Sequence, residues 1–388
     1  MRLGDGMVQI GIRNLRRDPM RAMVAVCGVV FAVVLVTMEI GMLIGLVRDA
    51  SLLIDRSRAD IWVSSVDVQT FDFATPVSQR KKYLIRSVPG VEKVEEYNVS
   101  YSIWKLPTGG NANCQVIGFD PKGTLAAPLN MEKGRLDDIV NQDAVIIDEG
   151  ERPKLGNPKI GDFVEIMQKR ARVAGFTRGM RSFTTTPYVF TSLDRSRIYS
   201  WISSGTPEVH IGTETVYFLV KVAPGADVET VRRAIESSVA DVEAHTRESL
   251  SWRTRRYWLV ETGVGLGFLA AAFLGLLVGG VIVSQTLYAM TVEKLSEYGV
   301  LKALGATMGE ISRVVLAQGL ICGAAGLAMG LLASFALSVA AESAGATVVI
   351  PWPLAIGVTL LTAILCSGAA MVSIARLRKV DPAMVFRA

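Results

Sequence analysis

Four long apolar runs, Ala22–Val47, Leu259–Met290, Val314–Ala341 and Leu354–Ala375, limit what this chain can fold into. Each holds the roughly 20 residues that a helix rising about 1.5 Å per residue needs to cross a bilayer core. In hydrocarbon every backbone N–H and C=O must be bonded within its own segment, so the runs read as four transmembrane helices. A stretch of mixed polarity, residues 48–257, separates the first from the second, whereas the last three follow one another closely. Of the 388 residues, 50% are hydrophobic, which favours an integral membrane protein before any motif is considered. The first run is too long for a signal-peptide core and no small-residue cleavage site follows it, so it reads as a retained anchor.

The net charge of +5 does not indicate nucleic acid, because a telling share of the cations crowds the short flanks of the apolar runs. Arg2, Arg13, Arg16, Arg17 and Arg21 precede the first run. Lys294, Lys302 and Arg313 lie between the second and third, and Arg376, Arg378, Lys379 and Arg387 follow the fourth. The link near Glu342–Pro353 has no Lys or Arg. By the positive-inside rule both termini and the second-to-third link are cytoplasmic. The expected order is a cytoplasmic amphipathic N-terminal helix (1–21), a first span (22–47) and an extracytoplasmic α/β domain (48–257). A second span (258–290), a cytoplasmic link (291–313), a third span (314–341), a short outer loop (342–353), a fourth span (354–375) and a cytoplasmic tail (376–388) follow. Val8, Ile12 and Leu15 share one face of Met7–Arg17, which suits either a helix on the inner leaflet or a basic flank that sets topology.

Within residues 48–257, strands are expected at Ala59–Ser64, Tyr101–Leu106, Cys114–Phe119, Ala144–Ile147, Phe163–Met167 and Val216–Val222. Helices are expected at Ser78–Val88 and Asp227–Ser238, with Glu243–Tyr257 as a charged helical stalk into the second span. No catalytic constellation is present. Asp148, Glu149 and Glu151 read as a solvated turn, and no Ser or His sits in a nucleophile context. Lys169, Arg170, Arg172, Arg178 and Arg181 form a basic cluster, read as a solvated face in preference to a lipid or acidic-partner contact. Cys27, Cys114, Cys322 and Cys366 show no metal spacing, and His210 and His245 match no zinc or triad pattern.

Inside the spans, Gly263/Gly267 and Gly275/Gly279 on the second, and Gly319/Gly323 and Gly326/Gly330 on the third, are small residues four apart, a spacing for close helix packing. Glu39 is the one ionisable residue deep in the first run. A carboxylate there faces a cavity or a partner, so Glu39 with Met38 and Met42 either lines a substrate path or is a protonated or bonded packing residue.

The most specific segment is the polar link after the second run. It reads Ser296-Glu297-Tyr298-Gly299-Val300-Leu301-Lys302-Ala303-Leu304-Gly305-Ala306. This resembles the signature of ABC-transporter permeases of the FtsX-like/MacB type. The closing Lys379-Val-Asp-Pro-Ala segment and Leu155-Gly156…Gly161-Asp162 resemble further stretches of that family, and Ala25–Leu35 looks most like its DevC branch. The family's usual Arg before the Glu is Ser296 here, so no role of that Arg carries over. The resemblance implies a four-helix membrane protein with a large mixed α/β extracytoplasmic domain between helices 1 and 2, in the bacterial inner membrane. It also implies a link that sits on a cytoplasmic ATPase through Glu293, Lys294, Glu297, Tyr298, Gly299, Lys302, Ala303, Leu304 and Gly305.

The chain has no G-x-x-x-x-G-K-[ST], so ATP and Mg would reside on the partner and no cofactor on this chain. The resemblance further implies a homodimer, contacts with membrane lipids, a periplasmic membrane-fusion adaptor and an outer-membrane channel, and export of a lipid- or glycolipid-like cargo by mechanotransmission. Rival expectations are an FtsX-like mechanotransmitter that switches a cell-wall hydrolase, a haem or drug efflux permease, and a membrane-anchored sensor or enzyme.

Overall fold

The computed structural model describes residues 13, 17–126, 129–140, 143–184, 186–200, 213–303, 306–343 and 346–377. The expected inner-leaflet helix at Met7–Arg17, the C-terminal Lys379–Arg387 segment, His210, Leu304 and Gly305 lie wholly or largely outside these residues. The chain divides into two compact units, one of Met1–Gly45 with Gly265–Ala388, the other of Leu46–Val264.

In the first unit, four helices are long and apolar enough to cross a membrane. They are α1 (Pro19–Ala50), which continues into the second unit, α7 (Val264–Glu293), α9 (Met308–Ser343) and α10 (Trp352–Leu377). The β-branched residues that fill α1 are weak helix formers in water. In lipid the cost of an unbonded backbone overrides that preference. Asp18 sits at the start of α1, its Oδ1 3.5 Å from the Arg21 amide, and Pro19 occupies the first turn, where its missing N–H costs nothing.

Glycines set the helix contacts. A Cβ on Gly275 would lie 2.5 Å from Leu35, and one on Gly279 would strike Ala32, so α7 meets α1 across bare backbone. Gly28 answers from α1, where a Cβ would lie 2.6 Å from Ile282. Gly326 and Gly330 bring α9 onto the same helix at Val29 and Val33. Gly319 and Gly323 instead open α9 to Cys366 of α10, and Ser373 donates a 3.2 Å hydrogen bond to the Ser284 carbonyl of α7. The packing expectation fails at Gly263 and Gly267. Gly263 precedes α7 with φ +73, and a Cβ at either position meets nothing within 4 Å. Sequence reading missed a further pair, Gly41 and Gly45. The link between α9 and α10 crosses α1 there, with Val349 N donating to Gly41 O at 3.1 Å.

The second unit is a mixed sheet with short helices. Its strands are β1 (Ile61–Ser64), β2 (Val77–Ser78), β3 (Val91–Lys105), β4 (Asn111–Phe119), β5 (Met131–Lys133), β6 (Ala144–Asp148), β7 (Phe163–Ile166), β8 (Lys169–Thr177), β9 (Tyr188–Ser192), β10 (Glu214–Thr215), β11 (Tyr217–Val222) and β12 (Glu243–Thr246). The main sheet runs β12-β1-β11-β3-β4-β9-β6-β8-β5, with β7 joined to β3 and β8, while β2 pairs β10 separately. Only β4–β9 and β6–β8 are parallel among the described pairs. Trp62, Phe71, Tyr97 and Tyr217 form an aromatic knot, Trp62 meeting Tyr97 and Tyr217 edge-on with ring centroids 5.4 Å apart. Such pairs add about 0.5–1.5 kcal/mol each beyond area burial. Val231 and Ile235 of α5 (Val228–Ser238) pack into the apolar cluster that holds Phe218 and Val220 of β11. Asp227 caps α5 by accepting from Thr230 N at 2.8 Å.

Two expected helices are cut back. Ser78 belongs to β2, and only α3 (Lys81–Arg86) is helical in the Ser78–Val88 stretch. The expected stalk over Glu243–Tyr257 begins as β12, because Ala244 and His245 are buried in pairing with Val63 and Trp62, and tertiary pairing overrides the local helical pattern. Thr246 then caps α6 (Arg247–Arg256), accepting from Ser249 N at 3.1 Å. Strands β8 and β9 were not foreseen.

The glycine contacts predict a contrast. Gly279→Leu forces α7 off α1, an overpacking cost of about 1–3 kcal/mol, and lowers the melting temperature in detergent micelles. Gly267→Leu, with open space at its Cβ, leaves the melt unchanged.

Candidate functional site

The polar link holds its own short helix, α8 (Leu295–Ala303). At its start Lys294 breaks the helix of α7 and pairs with Glu297 at 2.6 Å. Beyond its end, Thr307 and Glu310 make a reciprocal capping box: Thr307 N donates to Glu310 Oε2 at 2.8 Å, and Glu310 N donates to Thr307 Oγ1 at 3.3 Å. This box starts α9 and stops the link from merging with it.

The residues expected to contact an ATPase do not all face one way. The Glu297 side chain is 49% exposed, and Gly299 offers open space where a Cβ would be. Tyr298 is buried in the chain's own packing, 4% exposed, so it is no surface contact. Lys302 and Ala303 lie on α8, while Leu304 and Gly305 are outside the described residues. Glu293 has a partner that sequence reading did not supply. Both guanidinium NH groups of Arg21 reach its carboxylate, Nη1 to Oε2 and Nη2 to Oε1, the latter at 3.2 Å. Arg21 is also held by Asp18 at 3.4 Å. A bidentate pair between residues 272 apart in sequence ties the first turn of α1 to the last residue of α7, beside the turn into α8. Local patterning carries no signal for such a pair. The only hint was an Arg and a Glu at the same end of two spans.

Met38 and Met42 stand one turn apart on α1, and Glu39 is about 100° round from Met38. All three are half-buried. Between α7 and α10 runs a groove of about 520 Å³ lined by Gly280, Ser284, Gln285, Ile364 and Gly368, and none of the three α1 residues lines it.

In the inserted domain, Asp148 and Glu151 are not a solvated turn. Asp148 is fully buried and accepts from Gly150 N, Thr177 Oγ1, Met180 N and Arg181 Nε, which pins residues 148–150 to residues 177–181. Burial pushes the Glu151 carboxyl up, with Lys154 beside it at 2.8 Å. The basic cluster does not act as one patch. Arg178 pairs with Glu132, Arg181 with Asp148, and Arg170 lies over the Phe163 ring at 3.8 Å. The Cys114 thiol, buried, is pushed up to about 12, which leaves it inert as a nucleophile at neutral pH. His245 is held neutral by burial, near Glu243 and Arg253. Among the described residues no His, Cys, Asp and Glu group is placed to hold a metal ion.

Another buried carboxyl group is Asp72, in the 3-10 turn Phe71–Phe73. It is 6% exposed and accepts from Gln115 Nε2 of β4 and from Trp258 Nε1, each at 3.2 Å. Phe71 N donates to Thr254 Oγ1 of α6 at 3.2 Å, and Tyr217 OH donates to Phe71 O at 3.0 Å. The turn therefore joins the helix that leads toward α7 with strands of the central sheet.

Residues 22–238 match the family model of the MacB-like periplasmic core domain, and residues 269–382 match that of the FtsX-like permease C-terminal region. The chain is similar to an uncharacterised ABC transporter permease of Methanocaldococcus jannaschii, 27% identical over 219 residues, 53% of this chain and 51% of the relative. The match thus spans about half the length of this curated relative. Among solved structures, the periplasmic region of MacB from Actinobacillus actinomycetemcomitans is 12% identical with a TM-score of 0.36, over 51% of this chain and 94% of that one. The extracellular domain of the transporter YknZ from Gram-positive bacteria is 12% identical with a TM-score of 0.34, over 48% and 99%.

Burial raises the Asp72 carboxyl above the usual carboxylate range. The folded chain therefore holds this proton more tightly than the unfolded one, and the stability so gained is lost as pH rises through the raised value. Asp72→Asn removes that dependence, so the melting temperature of the variant relative to the parent rises as pH increases above the ordinary Asp value of about 4. A pH-independent difference would show that Asp72 does not titrate in this way.

Proposed function

The chain belongs to the ABC-transporter permeases of the FtsX-like/MacB type, and from that premise we propose that it is the membrane subunit of an ATP-driven export complex. A cytoplasmic ATPase binds at the polar link, and its stroke is passed through the membrane helices to the inserted domain on the far side. The observation that carries this reading is the link itself. It is a short helix of its own, with Glu297 exposed and with Glu293 clamped by Arg21 at its entrance. A push on α8 thereby reaches α7 through the chain and α1 through the ion pair. The grip of α1 on α7 and α9 at Gly28, Gly275, Gly279, Gly326 and Gly330 supports movement of the helices as a group.

The cargo class we propose is lipophilic or amphipathic, with lipid- or glycolipid-like molecules foremost. The inserted domain handles the cargo and docks a periplasmic adaptor leading to an outer-membrane channel, in a complex with two copies of this chain and two ATPases. Four spans are few to enclose a path, which favours the dimer and a mechanical stroke over a central pore. An FtsX-like mechanotransmitter without cargo shares the same C-terminal unit, and the match to a MacB-like core domain over residues 22–238 favours export.

Charge reversal tests the link. Glu297→Lys weakens the ATPase complex at least tenfold, about 1.4 kcal/mol or more, measured as co-purification, while the permease melts as the parent does. Full retention of the ATPase would remove the link from the interface. A second test addresses the first span: Glu39→Gln lowers export without loss of assembly if the carboxylate lines the cargo path, and leaves export intact if it only packs.

A further inference from the structure

The inserted domain carries a cluster of aromatic rings, one exposed and four half-buried, of which two lie shortly before α7 in sequence. Phe73 is 52% exposed. Around it stand Tyr101, Tyr257 and Trp258, with ring centroids 6.0, 6.3 and 6.1 Å away, and Phe183 meets Trp258 at 4.5 Å. The indole N–H of Trp258 is bonded inward to Asp72, so the polar edge of that ring is satisfied within the protein. Arg256 is exposed one residue before Tyr257, and Val260 is 68% exposed two residues after Trp258. Aromatic rings with exposed charges close by in sequence, Arg256 before them and Glu261 after, have the composition of a surface that meets a lipid–water boundary.

Chain distance says which boundary. From Val264 the residues of α7 are uninterruptedly apolar to Val283, and the first polar side chain is Ser284. That run of about 20 residues covers the roughly 30 Å hydrocarbon core, so Val264 marks its edge. Trp258 lies six residues before Val264, and the intervening chain is mostly helical, α6 being followed by a wide turn over Tyr257–Glu261. The separation is at most about 9 Å along the axis, against headgroup layers of roughly 5–8 Å and a side chain that adds reach. Trp352, 76% exposed, opens α10 at the same membrane face, since successive spans alternate in direction. Tryptophan and tyrosine concentrate at this depth because their rings are apolar and their edges polar.

We propose that the surface formed by Phe73, Tyr101, Phe183, Tyr257 and Trp258 rests in the phospholipid headgroup layer on the inserted domain's side of the membrane. The partner is the lipid interface itself, with Arg256 placed for phosphate. This contact requires only the membrane-spanning character of α7 and is independent of cargo and of the ATPase. It gives the turn Phe71–Phe73 a second function: its buried Asp72 is bonded to the sheet and its exposed Phe73 faces lipid.

The experiment uses the full chain in phospholipid nanodiscs. The difference in emission between the parent and Trp258→Phe isolates Trp258. The expected result is strong quenching of that difference by lipids brominated at the acyl carbons nearest the headgroup, and weaker quenching by aqueous iodide. Quenching by iodide alone would place the ring in water. Quenching by neither would place it under protein, such as a second copy or an adaptor. Either result overturns the proposal. Should Trp258→Phe fail to fold, Phe73→Trp supplies the same reading from an added ring at an already half-exposed position, judged by the same order of quenching.

Discussion

Bare backbone contact along α1 is the interaction on which the membrane unit rests. Lipid tails are as apolar as the side chains they would replace, so burial supplies no drive to bring membrane helices together. Close approach must do it, and approach requires absent side chains. On α1 this occurs at Gly28 against Ile282 of α7, and again at Gly41 and Gly45 beneath the link that enters α10. From the other helices, Gly275 and Gly279 of α7 and Gly326 and Gly330 of α9 close on α1 along two different faces. One helix, isolated in sequence from the other three, thus becomes the part they share.

That arrangement gives the Arg21–Glu293 ion pair its meaning in the proposed mechanism. The Arg21–Glu293 pair is half-exposed, and exposed pairs add only about 0.2–1 kcal/mol to stability. Its contribution is geometric: it fixes the start of α1 to the turn from which α8 departs. The inserted domain has its own counterpart in the Phe71–Phe73 turn, where buried hydrogen bonds from Gln115 and Trp258 converge on Asp72. A buried carboxylate is expensive, and it is retained where its bonds hold separate segments together.

The four spans were legible because length and apolarity are local properties. Gly275, Gly279, Gly319, Gly323, Gly326 and Gly330 were legible as packing residues for the same reason, though spacing alone named no partner helix. The same spacing misled at Gly263 and Gly267, where no helix approaches, and it went unused at Gly41 and Gly45. In the inserted domain several strands with β-type runs were found, but Tyr188–Ser192, itself such a run, was missed, and Glu243–Thr246 looked helical until paired with β1. Asp148 looked like a surface turn because its donors, Thr177, Met180 and Arg181, are distant in sequence. The Arg21–Glu293 pair was invisible for that reason as well. What was found is local, and the polar contacts that were missed are long-range.

The central claim is that the stroke entering at the link reaches α1 through Arg21 and Glu293. The most direct measurement is transport-coupled ATP hydrolysis by the reconstituted complex carrying Arg21→Glu, Glu293→Arg, or both. The account predicts that each single reversal uncouples hydrolysis from transport with little change in melting temperature, and that the double reversal restores coupling by remaking the pair. Full coupling in the single variants, or a double variant no better than either, would contradict it.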